Sequence, residues 1–245
     1  MRKLLFIIFV FFNFLYASNQ TFSSGENRVN IIELYTSQGC NSCPPADKWI
    51  SKLKDNPKLF KEFIPMAFHV TYWNYIGWRD IFSKKANDNR QRYYSKEIWN
   101  RSSVYTPQFV INAREYREWF SNKSFPWFEK RYGGILQASL DDTHAKVTYH
   151  NKEIKDKNLI LNIAILGFDY KIKINAGENK YKTLEHDFVV LNHIQKKVDL
   201  QSHKFETHTY ISDLIEKDKK QAIAIWISDY DFNILQATGT YITKF

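Results

Sequence analysis

The two cysteines of this 245-residue chain sit in one short run, TSQGCNSCPPAD (Thr36 to Asp47), with two residues between them and two prolines behind them. Thiols fixed within one turn of each other admit three uses: a redox dithiol, half of a metal site, or an inert clip. A bridge this short removes little unfolded-state entropy, roughly 2 kcal/mol on the chain-entropy model, so a stabilising staple would span a longer loop. A structural zinc needs four ligands, and two histidines would have to join Cys40 and Cys43. His203 and His208 have a usable spacing, yet HKFETH reads as a strand, and their odd separation puts the two rings on opposite faces. The spacing therefore favours redox work, with no metal and no cofactor expected. A binding module whose disulfide never turns over is the alternative function.

The first residues speak to the compartment. Arg2 and Lys3, an apolar run from Leu4 to Tyr16 and a small residue at Ala17 have the layout of a secretory signal peptide over 1–17. The run is shorter than the ~20 residues of a membrane span. The expectation is an exported protein, periplasmic or secreted, without stable membrane insertion after cleavage, in a space where disulfides persist. Hydrophobic residues at 44% and aromatics at 17% allow a sizeable core and argue against disorder. The net charge is +9, and +7 without Arg2 and Lys3, but the lysines are interleaved with acids, as in HNKEIKDKN. No basic stripe carries a reader motif, so no nucleic-acid partner is expected.

The pattern changes near residue 133. Over 28–132, strand-like runs alternate with helical ones: NIIELYT, the helix PPADKWISKLKD, the strand PMAFHVTYW, the polar helix SKKANDNRQRYYSKEIWN, the strand PQFVIN and a short helix FPWFEKRY. That order predicts an α/β layer with a mixed sheet. Over 133–245 the signals are β: LQASLDD, AKVTYH, LILNIAILGF, YKIKI, FETHTYI, AIAIWIS and ILQATGTYI, a sandwich-like part packed on the first. The buried strand NIIELYT runs into SQGC, and a helix begins at or just after the first cysteine. Free amides and the helix dipole there favour a thiolate, lowering its pKa. Cys40 is then the exposed nucleophile and Cys43, a turn further in, the buried resolving thiol. Pro44 and Pro45 fit the first helical turn.

Three blocks, IIELYTSQGCNSCPPADKWISKL, FHVTYWNYIGWRD and SSVYTPQFVIN, resemble the signatures of the exported thioredoxin-like family catalogued as domain of unknown function 1223, and GENKYKTLEHDFVV resembles a further block. The resemblance implies an α/β fold: a thioredoxin-like mixed-sheet domain with a C-terminal antiparallel β-rich extension. It supplies no reaction. It departs from the family pattern at Thr71 and Asn74, where members often carry acids. In such a fold the residue facing the dithiol is a cis-proline before a strand, which implies that role for Pro107. Thr106 would then offer its backbone to an extended peptide, with Tyr105 and Trp73 as further substrate contacts. His69, two even steps from Trp73, is either a structural histidine or a support for catalysis. Glu33, on the strand leading to the dithiol, either faces outward or serves as a buried proton acceptor, and Gln38 is a further supporting candidate. The expected activity is thiol–disulfide exchange with a protein or small thiol or disulfide substrate, recharged by a separate redox partner.

Overall fold

The computed structural model of the chain describes residues 19–121, 128–215 and 219–243, so the leader-like run at 1–17 lies outside the described residues. After a short β1 (Gln20–Ser23), the run NIIELYT forms β2 (Asn30–Thr36), buried along its whole length. Helix α1 (Pro44–Ser51) takes both prolines at its start, where their preset φ suits the first turn, and turns Ala46 and Ile50 to the core. A 3-10 turn over Lys52–Asp55 carries it to Asn56, ahead of Pro57. Next come β3 (Phe63–His69), α2 (Lys85–Tyr93) with a π-helical turn over Tyr94–Ile98, β4 (Gln108–Ile111) and β5 (Arg114–Tyr116). β3 starts earlier and stops earlier than PMAFHVTYW suggested. Beyond His69 only Val70 keeps a ladder bond, to Thr36 O, and the amide of Asn74 turns back to Thr71 O, so Trp73 leaves the strand. The expected helix FPWFEKRY is absent from its described part, 128–132, where Tyr132 bridges Asn27 instead; 125–127 lie outside the described residues.

The remaining chain is strand: β6 (Ile135–Leu140), β7 (His144–His150), β8 (Lys157–Gly167), β9 (Tyr170–Lys173), β10 (Thr183–His186), β11 (Val189–Leu200), β12 (Lys204–Tyr210), β13 (Gln221–Ser228) and β14 (Ile234–Tyr241). The longest of these, β11, carries no clear strand signal. Its middle reads NHIQKK, half exposed, and a bulge between Val190 and Asn192 breaks the alternation.

An eight-stranded sheet runs β14-β13-β8-β11-β3-β2-β4-β5 and so draws strands from both sides of residue 133. β3 pairs parallel with β2 and with β11; the other ladders are antiparallel. A second sheet, β1-β6-β7-β12, covers one face of β8 and β13. Ile163, Ile165, Ile223 and Ile225 point into that inter-sheet core, while Ala164, Leu166, Ala224 and Trp226 point into the core shared with β2, β3 and α1. Both faces are covered, which is why LILNIAILGF and AIAIWIS read as continuous apolar runs. The chain is thus a mixed α/β protein, mostly sheet.

The two faces of β2 meet different helices. Thr36 lies on the face covered by α1, next to Asp47, whereas Glu33 and Tyr35 lie on the face covered by α2. Glu33 is fully buried there. Arg90 forks onto it through Nε (2.8 Å) and Nη2 (2.7 Å), and the hydroxyls of Tyr35 and Tyr94 each donate to it at 2.7 Å. The outward-facing alternative for Glu33 is therefore excluded, and its side chain points to the opposite face from α1. Removing one partner of such a pair leaves the other charge buried and uncompensated. Glu33→Ala should lose about 3–5 kcal/mol of stability, whereas a matched apolar pair (Glu33→Leu with Arg90→Met) should recover most of it; urea unfolding of the three proteins measures both.

Candidate active site

The end of β2 opens into the loop that holds the cysteines. The amide of Cys40 donates to Ser37 O at 3.2 Å and that of Cys43 to Cys40 O at 3.3 Å, which winds the loop into the start of α1. Cys40 and Cys43 form a disulfide with Cα atoms 5.4 Å apart. Both are 0% exposed, so in this oxidised form Cys40 is not the exposed member of the pair. Close cover explains it. The Ser42 hydroxyl lies 3.3 Å and Thr106 O 3.8 Å from Cys40 Sγ; the sulfur has no hydrogen to give, so the first can only be a hydroxyl donating and the second a packing contact. Gly39 sits so near the 71–77 segment that a Cβ there would meet Trp73 Cβ and Ile76 Cδ1 at 3.1 Å.

The free amides expected at this helix start are largely absent. Pro44 and Pro45 carry none, those of Ala46 and Asp47 donate to Cys43 O, and that of Asn41 is taken by Glu178 Oε2 at 3.1 Å. Glu178 and Asn179 come from the loop between β9 and β10. Asn179 is buried, and its Nδ2 donates to Gln38 O (3.0 Å) and Cys40 O (2.9 Å) while its Oδ1 accepts from Lys182. Gly177, at φ +74°, leaves room for this approach: a Cβ there would press on Ile76 Cδ1 at 2.9 Å. The GENKYKTLEHDFVV block thus lies across the dithiol loop, more than a hundred residues away in sequence.

On the other side stands the loop before β4. The Thr106–Pro107 peptide is cis. Trp73, though off the strand, donates its indole N–H to Thr106 Oγ1 at 2.7 Å, and Gln91 Nε2 holds Tyr105 O at 2.7 Å. Ser42, Pro45, Tyr105, Pro107, Arg117 and Phe120 line a groove of about 280 Å³ beside the disulfide.

Beneath α1 lies a buried ionisable cluster. His69, at the end of β3, shares a 2.7 Å hydrogen bond between Nδ1 and Asp80 Oδ2, and Asp80 also accepts the amides of Gln38 and Phe82. Burial alone would lower the pKa of His69, but Asp80 and Asp47 outweigh it and the pKa is raised. Burial would raise Asp80, but His69 and the two amides hold it low. Asp47 has no such amides: burial pushes it up to about 7, opposed by His69 and the nearby Thr36 hydroxyl. His186, on β10, is driven down to about 3 by burial and then by His69, so its 3.9 Å approach to Asp47 is not an ion pair. Asp47 Oδ2, His69 Nε2 and both nitrogens of His186 have no hydrogen-bond partner. Gln38 is a buried brace whose side-chain oxygen accepts from Trp78.

Cys40, Cys43, Thr106, Pro107, Tyr105, Trp73 and Gln38 are therefore brought together, with His69 behind α1 and Glu33 on the other face of the sheet. Sequence reading missed Asp47, Asp80, His186, Glu178 and Asn179. Asp47 had a local signal, one helical turn past Cys43, but an acid there also reads as ordinary N-terminal helix charge. Among the described residues no His, Cys, Asp and Glu side chains group as a metal site, and no helix is long and apolar enough to cross a membrane.

Fold and site together define a mixed α/β protein that carries a buried Cys-x-x-Cys disulfide between a cis-proline loop and a C-terminal hairpin. The chain belongs to the family described as protein of unknown function DUF1223, whose model matches residues 31–228. No curated protein matches it. Among solved structures it is similar to a crystallised protein of Agrobacterium tumefaciens, at 18% identity over 90% of this chain and 99% of that one, with a TM-score of 0.59. It is also similar to HBP35 of Porphyromonas gingivalis, at 14% identity over 89% of this chain and 76% of that one, with a TM-score of 0.62. At these identities the likeness concerns the fold alone.

The cluster leaves a pH signature. The folded protein holds the Asp47 proton up to about pH 7, whereas the unfolded chain releases it near 4. Stability from this group is thus full below about pH 4 and lost as pH rises to about 7. Asp47→Asn should abolish that loss, gaining about 2–4 kcal/mol over the parent at pH 8 and little at pH 4; denaturant unfolding across this range measures the difference.

Proposed function

We propose that this chain is an exported thiol–disulfide oxidoreductase with a thioredoxin-like arrangement of α1, the sheet and the Pro107 loop. One observation carries the reading: the Cys40–Cys43 disulfide has its first sulfur 3.8 Å from the carbonyl of Thr106, beside an open groove. A bridge with only a stabilising role would gain little from so short a loop. The exported location rests on the leader-like 1–17 and on disulfides persisting in oxidising compartments.

In the reducing direction, the Cys40 thiolate attacks a substrate disulfide. The substrate S–S bond breaks, one substrate sulfur leaves and takes a proton, and a mixed disulfide forms through Cys40. Cys43 then attacks Cys40 Sγ, which restores the internal disulfide and releases the second substrate thiol. Two electrons pass from protein to substrate, and a dithiol reductant must return them. Asp47 is suited to take the Cys43 proton, since both side chains lie on the buried face of α1 one turn apart and the acid titrates near neutrality. A substrate segment laid along Tyr105–Thr106 would present its cysteine to Cys40 and a neighbouring apolar or aromatic side chain to the Phe120–Pro45 groove.

The test is partner trapping. Cys43→Ser protein should accumulate mixed disulfides through Cys40, reversed by dithiothreitol, and Cys40→Ser protein should not. If neither variant traps a thiol partner and the parent fails to exchange with glutathione, the protein is a non-catalytic binding module. Asp47→Asn should slow resolution about tenfold or more near pH 7 and leave the initial attack by Cys40 unchanged; stopped-flow measurement of the two phases separates them.

A further inference from the structure

A carboxylate beside the nucleophile has no place in the scheme above. Glu178 lies on the β9–β10 loop and accepts the amide hydrogen of Asn41, the residue directly after Cys40. Asn179, buried and bonded to the carbonyls of Gln38 and Cys40, fixes that loop, and Gly177 packs against Ile76 behind it. The placement is thus held by three successive residues. Yet at the start of a helix next to a reactive cysteine, an amide donor and a positive potential are what stabilise a thiolate. Here two prolines remove donors, and a negative charge occupies the one after Cys40.

We infer that Glu178 sets the redox poise of the dithiol: it competes with the Cys40 thiolate for the Asn41 amide and repels it, which keeps the couple on the reducing side. This rests on the oxidoreductase reading and adds the direction of the reaction. Other charged groups face the site: Asp47 on α1, His69 on β3, Asp80 after it, His186 on β10, Lys182 on the same loop as Glu178, and Arg117 with its partner Glu115 along the groove. Asp47, His69, Asp80 and His186 are buried behind the helix, and Lys182 is engaged by Asn179. Of the acids just named with it, Glu178 is the one exposed on the solvent side of the loop, where it accepts a backbone amide. Its influence is also reciprocal, since a thiolate at Cys40 weakens the Glu178 bond by the same factor.

The sign follows directly. Removing the charge stabilises the thiolate, lowers the Cys40 pKa and stabilises the dithiol form, so the couple becomes more oxidising. For two solvated charges a few ångström apart the effect is about three- to fivefold. Glu178→Gln should shift the thiol–disulfide equilibrium with glutathione about three- to fivefold toward reduced protein, and Glu178→Lys further in the same direction. The Cys40 pKa, read from the pH dependence of alkylation of reduced protein, should fall in the same order. The difference between parent and variants should shrink in 1 M salt, because the group is exposed. Glu185→Gln, which removes an exposed charge elsewhere on β10, should change neither quantity. Unchanged pKa and equilibrium in both Glu178 variants, or a shift equal to that of Glu185→Gln, overturns the inference. Failure of the oxidoreductase reading is separate: it is seen as absence of trapped partners and of exchange with glutathione, whereas the alkylation profile of chemically reduced protein is read without either.

Discussion

The seam between β3 and β11 is short, a parallel contact with Val189 opposite Ala67 and the Ala67 amide donating to Phe188 O at 2.8 Å. Much of the site depends on it. Without β11, β3 would be an edge strand with unsatisfied backbone groups, a condition that proteins do not leave open in a core. With β11 in place, β8, β13 and β14 continue the same sheet, and the β9–β10 hairpin is carried back over α1. The C-terminal half is therefore a wall of the dithiol site rather than an appendage. His186, Glu178 and Asn179 all arrive through it.

The sheet also separates two kinds of buried charge. On the α2 face, Glu33 and Arg90 form a fork whose remaining lone pairs are met by Tyr35 and Tyr94, so the charges are paired and fixed. On the α1 face, the set Asp47, His69, Asp80 and His186 is only partly satisfied, with several nitrogens and an oxygen lacking partners. A protein interior strongly disfavours such orphans. Within this set burial holds the Asp47 carboxyl up at about 7, one helical turn past Cys43. The family carries no assigned reaction, and the contrast between the two faces is the physical reason to look for one on the α1 side.

The cover over Cys40 bears on how a substrate reaches it. Both sulfurs are shielded when oxidised, by the Thr106 loop on one side and by the Trp73–Ile76 turn and the Asn179 loop on the other. Hydrogen bonds from Asn179 to the carbonyls of Gln38 and Cys40 hold one wall of the shield, and packing holds the others. Access therefore depends on contacts made by residues distant in the chain, and the groove between Pro45 and Phe120 is the open approach.

The sequence by itself determined the local chemistry: a Cys-x-x-Cys pair, prolines that could only start a helix, and the apolar runs of β2, β8 and β13, whose burial on both faces leaves no alternation to misread. It also marked the proline before β4, through a motif rather than through periodicity. Tertiary structure decided everything that needs two distant segments. Strand β11 is hidden in sequence because its middle is polar and half exposed, and the fate of Glu33 depends on Arg90, which lies on a helix too polar to reveal its buried face. Asp47 reads as an ordinary helix acid until His69 and His186 close around it. Glu178 and Asn179 carry no local mark at all, since a carboxylate and an amide in a Gly-Glu-Asn-Lys run are typical turn chemistry. They become part of the site only because β3 and β11 share a ladder, and a ladder is a relation between segments that no single stretch of sequence contains.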